Sequence, residues 1–191
     1  MKRVVGYTCV ACWSAALGAL QLAVQAFGPA PDLASPGSVL GRALAPDLGT
    51  LFLAAAVGRL ARRDYLVLAL VAALGRATFT AASPLAVASG CIAVALIADV
   101  LRGFAELDRA FLRVLAAGLG ALVFTLWLGF VDFVRFGDAG ARGGLGFGAI
   151  DPATAAGAAL TTAVTTAGVA PFVWRLFAHL PGLSLLVRRA F

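Results

Sequence analysis

Six runs of apolar residues, separated by short stretches that carry most of the charge, constrain this chain more than any motif in it. The runs lie at 4–28, 46–60, 65–82, 84–101, 110–136 and 152–178. A helix needs about 20 apolar residues to cross the hydrocarbon core of a bilayer, and most of these runs approach or exceed that length. Of the 191 residues, 62% are hydrophobic and 13% are charged, against about 25% charged in an ordinary soluble domain. A soluble globule of this size leaves roughly a third of its potential surface in water and has no means of hiding so much apolar area. The 22 glycines and 8 prolines follow no collagen period and form no polar low-complexity tract, so neither a fibre nor a disordered chain fits. The expected fold is therefore all-α: one polytopic transmembrane domain over residues 1–191 with six transmembrane helices.

The first run follows Lys2 and Arg3 and is about twice as long as the apolar stretch of a signal peptide, so it reads as a retained helix. The second run is short. Its fifteen residues reach only about 22 Å at 1.5 Å per residue, so it must extend backward, thin the bilayer or be re-entrant. Arginine placement favours a full crossing. With the N-terminus in the cytoplasm, six crossings put eleven basic residues inside (Lys2, Arg3, Arg59, Arg62, Arg63, Arg102, Arg109, Arg113, Arg175, Arg188, Arg189) and three outside (Arg42, Arg135, Arg142). A re-entrant second run would move the Arg59/Arg62/Arg63 cluster outside and erode that bias. Both termini are thus expected in the cytoplasm, with Tyr7, Tyr65 and Trp174 near the inner interface. Ser83-Pro84 and Asp151-Pro152 each set a capping side chain before a proline, a pattern suited to a helix start.

Residues able to do covalent chemistry are few. The only histidine, His179, has no cysteine or carboxylate at helical spacing, and Cys9 and Cys12 form a lone C-x-x-C inside an apolar run. An odd count of three cysteines does not suggest a disulfide framework. The glycine-rich segment 137–148 has no Gly-Lys-Ser/Thr step and so is no phosphate cradle. No catalytic residue, cofactor, metal site or nucleic-acid partner is expected; membrane lipid is. The charge that topology leaves over is Arg76, inside the third run, open to three readings: an anionic ligand, a partner such as Asp132 on a neighbouring helix, or snorkelling to the surface. Asp99 and Arg102 are spaced for a local i,i+3 pair. Ala11, Ala15, Ala19 and Ala23 form a small-residue row on the first helix. Thr161/Thr165 and Thr162/Thr166 form a hydroxyl stripe on the last, able to bond back to the backbone or across to a neighbour. Pro171 is placed to kink that helix.

The middle of the chain resembles the rod shape-determining protein MreD family of the bacterial cell-elongation machinery. Pro46-Asp47-Leu48 matches the opening of its second helix, Arg62-Arg63-Asp64 its basic turn, Gly75 the glycine of its Gly-x-x-x-Asp step, and Pro84-Leu85 the start of its next helix. Pro171, followed by apolar and aromatic residues and a basic tail, matches the last helix. Phe79 stands where the family has its acidic residue and Ala86 where it has a second glycine, so no role of that carboxylate transfers. The resemblance implies a non-enzymatic scaffold of the bacterial inner membrane that docks an MreC-type protein. Through it the scaffold would reach an MreB-type actin homologue and the peptidoglycan glycosyltransferase/transpeptidase pair. It singles out Pro46, Asp47, Gly75, Pro84, Leu85 and Pro171, to which Arg76 is added as the unexplained charge. The layout is also similar to the S-components of energy-coupling-factor transporters, six-helix vitamin- or metal-binding subunits whose first helix carries an Ala-x-x-x-Ala docking row. An S-component-like bundle is the expected architecture.

Overall fold

The computed structural model describes residues 2–26, 44–58, 64–80, 82–104, 110–136 and 152–186. Those residues are all helical apart from turns and helix-flanking residues. Four helices are long and apolar enough to cross a membrane: α1 (Lys2–Ala26), α4 (Pro84–Phe104), α5 (Ala110–Phe136) and α6 (Pro152–Ala178). Two apolar helices are shorter, α2 (Leu48–Val57) and α3 (Tyr65–Ala77), and a single turn, α7 (Leu183–Leu186), follows the last long helix. The second and third runs therefore form less helix than their apolar length suggests. Asp47 adopts φ −79°, ψ 88° and turns its carboxylate back onto the Thr50 N–H at 3.0 Å, which starts α2 after Pro46. At the far end of α3, the Thr78 hydroxyl bonds the Gly75 carbonyl (2.7 Å) and the Phe79 N–H bonds the Arg76 carbonyl (3.1 Å), tightening the last turn. The Ser83 hydroxyl accepts the Ala86 N–H (3.2 Å), the cap expected before Pro84. Asp151, the 137–148 segment, the Arg59/Arg62/Arg63 cluster and the basic tail lie outside the described residues.

Contacts along the helices fix their directions. Arg3 lies 3.8 Å from Asp64, the Ser14 hydroxyl donates to the Ala72 carbonyl (2.7 Å), and Phe79 rests on Gly18, so α1 and α3 run parallel. Gly90 faces Phe124 and Val94 faces Gly120, which makes α4 and α5 antiparallel. Asp47 meets Thr166, and Phe52 meets Phe177 edge-on with centroids 6.0 Å apart, so α2 runs parallel to α6. The chain thus alternates up and down through α1 to α6. After α6, Gly182 takes φ +94°, a conformation that suits a residue without a Cβ, and the chain doubles back along α1. There the Trp13 indole N–H donates to the Pro181 carbonyl (3.1 Å) and Leu186 sits over Gly6. Both described ends of the chain accordingly lie at one end of the bundle.

The core is built on α2, which is buried on every side: Gly49 through Val57 are all buried, packed by α1, α3, α4, α5 and α6. Around it the long helices turn small residues inward and large ones outward. On α5, Ala116, Ala117 and Ala121 are buried while Phe111, Phe130 and Phe133 are exposed; on α1, Gly6, Val10, Ser14 and Leu17 are buried while Val4, Leu20 and Val24 are exposed. Apolar side chains lose little by facing lipid, and small ones let backbones close up, so this distribution is the one a bilayer favours. Trp174 is a buried member of the core at 5% exposure, near the end of α6.

Gly75 is the closest of these approaches. A Cβ there would run into the Ala11 carbonyl oxygen and lie 3.0 Å from the Ser14 Cβ, so α1 and α3 touch backbone to backbone. Gly75→Ala is expected to force them apart and cost about 1–3 kcal/mol. Gly168→Ala, where a Cβ meets nothing within 4 Å, is expected to be neutral or to stabilise by about 0.5–1 kcal/mol through helix propensity. Thermal unfolding of both variants in mild detergent makes the comparison; equal melting temperatures would contradict the close approach.

Candidate functional site

Arg76 ends α3 beside the start of α2, and there it meets Asp47. Its two terminal nitrogens bond the two carboxylate oxygens in parallel, Nη1 to Oδ1 at 2.8 Å and Nη2 to Oδ2 at 2.7 Å. Both residues are buried, Asp47 at 2% and Arg76 at 8% exposure. A guanidinium presents its donors in a planar fork that matches a carboxylate, which no lysine can reproduce. The partner is therefore Asp47 and not Asp132, and Arg76 neither stands alone nor snorkels.

Every element around the pair contributes something fitted to it. Oδ1 of Asp47 also accepts the Thr50 N–H (3.0 Å), so one carboxylate caps α2 and binds the arginine together. The Asp47 N–H donates to the Thr166 hydroxyl of α6 (2.8 Å), and that hydroxyl donates in turn to the Thr162 carbonyl (2.6 Å). The hydroxyl stripe of α6 thus bonds both ways, back along its own helix and across to α2. Phe124 of α5 places its ring 4.0 Å from the Arg76 guanidinium carbon, a cation–π contact on the face that carboxylate oxygens do not use. Gly49 leaves room on another side: a Cβ there would lie 2.5 Å from Nη1. At the other end of α2, Arg102 reaches the Val57 carbonyl (3.4 Å). The ten-residue helix therefore has an anion at its N-terminus and a cation at its C-terminus, the arrangement its dipole favours.

Thr166 and Phe124 lie near the midpoints of the 27-residue helices α6 and α5, and Gly75 meets α1 near its middle. The ion pair therefore sits halfway along the bundle, about 20 Å from either end of a 27-residue helix. Among the described residues no group of three or more His, Cys, Asp or Glu is placed to hold a metal ion. Cys91 is buried on α4.

Of the residues singled out in sequence, the structure gathers Asp47, Gly75 and Arg76, with Pro46 immediately before the cap. Pro84 and Leu85 open α4 on its exposed face, Leu85 at 81% exposure, and Pro171 lies on the exposed side of α6. In sequence Thr166 stands out only as part of a stripe, and Phe124, Gly49 and Ser14 carry no signal. The pairing itself was legible in principle. Asp47 and Arg76 lie fourteen and fifteen residues on either side of Ala61, so an antiparallel hairpin centred there brings them level. Comparisons with family models, curated proteins and solved structures give no match to this chain.

Removing one partner leaves the other charged and buried. Arg76→Met is expected to cost about 3–5 kcal/mol, and the Asp47→Asn/Arg76→Met double variant to recover most of that loss, since replacing a buried pair as a unit is often nearly neutral. Thr166→Val keeps the shape but strands the Asp47 N–H, at an expected cost of about 1–3 kcal/mol. Unfolding in detergent with a double-variant cycle measures all three; additive losses at positions 47 and 76 would refute the coupling.

Proposed function

We propose that this protein is a six-pass scaffold of the bacterial inner membrane, with both termini cytoplasmic, that works in cell elongation by docking helix faces against an MreC-type partner. The observation that carries the scaffold reading is the occupation of Arg76. The one intramembrane charge that topology leaves unexplained is engaged by Asp47, Phe124 and α2, which makes it part of the frame. The outward faces, by contrast, are apolar and bare: Leu74, Leu85, Phe111, Val164 and Phe172 are each more than two-thirds exposed. Such faces suit lipid and partner helices. The alternating directions of α1 to α6 accord with six crossings, the short α2 and α3 included, and the shared position of the described chain ends accords with termini on one side. The arginine distribution of the sequence would make that side the cytoplasm. The elongation role itself rests on the resemblance carried by Pro46-Asp47, Gly75 and Pro84-Leu85.

The S-component reading draws its support from the Ala11 to Ala23 row as a docking stripe. In the bundle the Gly75 approach engages Ala11 and Ala15 with α3, which leaves Ala23 as the exposed member of the row. That favours the scaffold.

Co-purification in mild detergent is expected to recover the MreC-type protein, and depletion is expected to turn rod-shaped cells round. Normal cell shape after depletion would sink the elongation role. A rise in melting temperature with a vitamin or a metal ion would instead favour the S-component, because a ligand bound only by the folded state stabilises it in proportion to its occupancy.

A further inference from the structure

The two short helices share three properties. Each is too short to cross alone: at 1.5 Å per residue, α2 covers about 15 Å and α3 about 20 Å of a hydrocarbon core about 30 Å thick. Each carries one charge, Asp47 at the start of α2 and Arg76 near the end of α3. Both charges lie level with the middles of α5 and α6, where a bare charge in lipid is most costly. Neither residue has a route to the membrane surface by snorkelling, since both side chains are buried and locked to each other. Taken singly, α2 and α3 are poor membrane segments. Taken together they are two segments whose mid-bundle charges cancel at one depth.

We propose that α2 and α3 enter the bilayer as a single charge-paired hairpin, the bond between Asp47 and Arg76 forming before or during insertion and holding both segments at their depth. The inference rests on the six-pass arrangement proposed above. Independent insertion makes the opposite prediction. If each segment partitioned alone, removing either charge would make that segment more apolar and improve its insertion. If they enter as a pair, removing one charge leaves the other uncompensated and worsens insertion, while removing both restores it.

The test uses the full-length chain with Cys9, Cys12 and Cys91 replaced by alanine and one cysteine introduced by Ala61→Cys, between the two helices. A membrane-impermeant maleimide applied to intact spheroplasts and to inverted vesicles reads which side that cysteine faces. In the chain with Asp47 and Arg76 intact, labelling from the cytoplasmic side alone is the expected result. Labelling from outside there would overturn the six-pass topology, a failure distinct from that of the hairpin. With that topology in place, Asp47→Ala and Arg76→Ala are each expected to raise the outside-to-inside labelling ratio roughly a hundredfold, the change that the cost of one unpaired charge on insertion scales implies. The Asp47→Ala/Arg76→Ala chain is expected to return to within twofold of the starting ratio. Labelling during a short pulse of synthesis reads the side before degradation removes misfolded chains. Single variants within twofold of the starting ratio, or a double variant as mixed as the singles, would overturn the proposal.

Discussion

A guanidinium and a carboxylate placed halfway through an apolar bundle set the terms for everything around them. Desolvating either one alone costs several kcal/mol, and the attraction between them offsets this only when geometry and the remaining hydrogen bonds are good. Here two parallel bonds of 2.7 and 2.8 Å join Arg76 to Asp47, a backbone N–H joins the carboxylate, and an aromatic ring covers the cation. Each of those partners comes from a different helix or from the start of α2. The pair thereby fixes where α2 begins, how close α3 stands to it, and which faces of α5 and α6 turn inward.

α2 shows why such a pin is needed. Its residues are apolar on every side, so no amphipathic stripe orients it, and a uniformly apolar cylinder has no preferred rotation about its axis. Polar contacts at its ends supply the missing information. Asp47 fixes the N-terminus through Arg76 and Thr166, and Arg102 meets the C-terminal carbonyl of Val57. Between these ends, packing is free to be nonspecific and tight. Buried polar groups acting as register marks in an apolar core are a recognised way to specify one arrangement among many that are similar in packing energy.

The sequence made the apolar runs and their order plain, because a run's length and the charges at its ends are local properties. The prolines mark the helix starts at Pro84 and Pro152, and Gly75 and Asp47 stand out by resemblance. Helix lengths in the second and third runs were not legible: apolarity says a segment avoids water, while helix extent there is set by caps at Asp47 and Thr78 that depend on local geometry. Arg76 is visible as an anomaly open to an anionic ligand, to a partner such as Asp132 or to snorkelling, and only its placement opposite Asp47 about Ala61 points to the adjacent helix. Phe124, Gly49 and Ser14 join the site only through tertiary packing, and nothing in their own neighbourhoods marks them among 13 phenylalanines and 22 glycines.

The doubled-back segment after α6 bears on when the molecule becomes complete. Trp13 bonds to Pro181, 168 residues later, and Gly6 lies beneath Leu186. During synthesis α1 is made before α2 to α6, yet the surface that covers its early turns is made after all of them. Contacts of such sequence separation form late because a long loop must close before they contribute. α1 therefore waits, seated on α2 and α3, until the segment after α6 arrives to cover it.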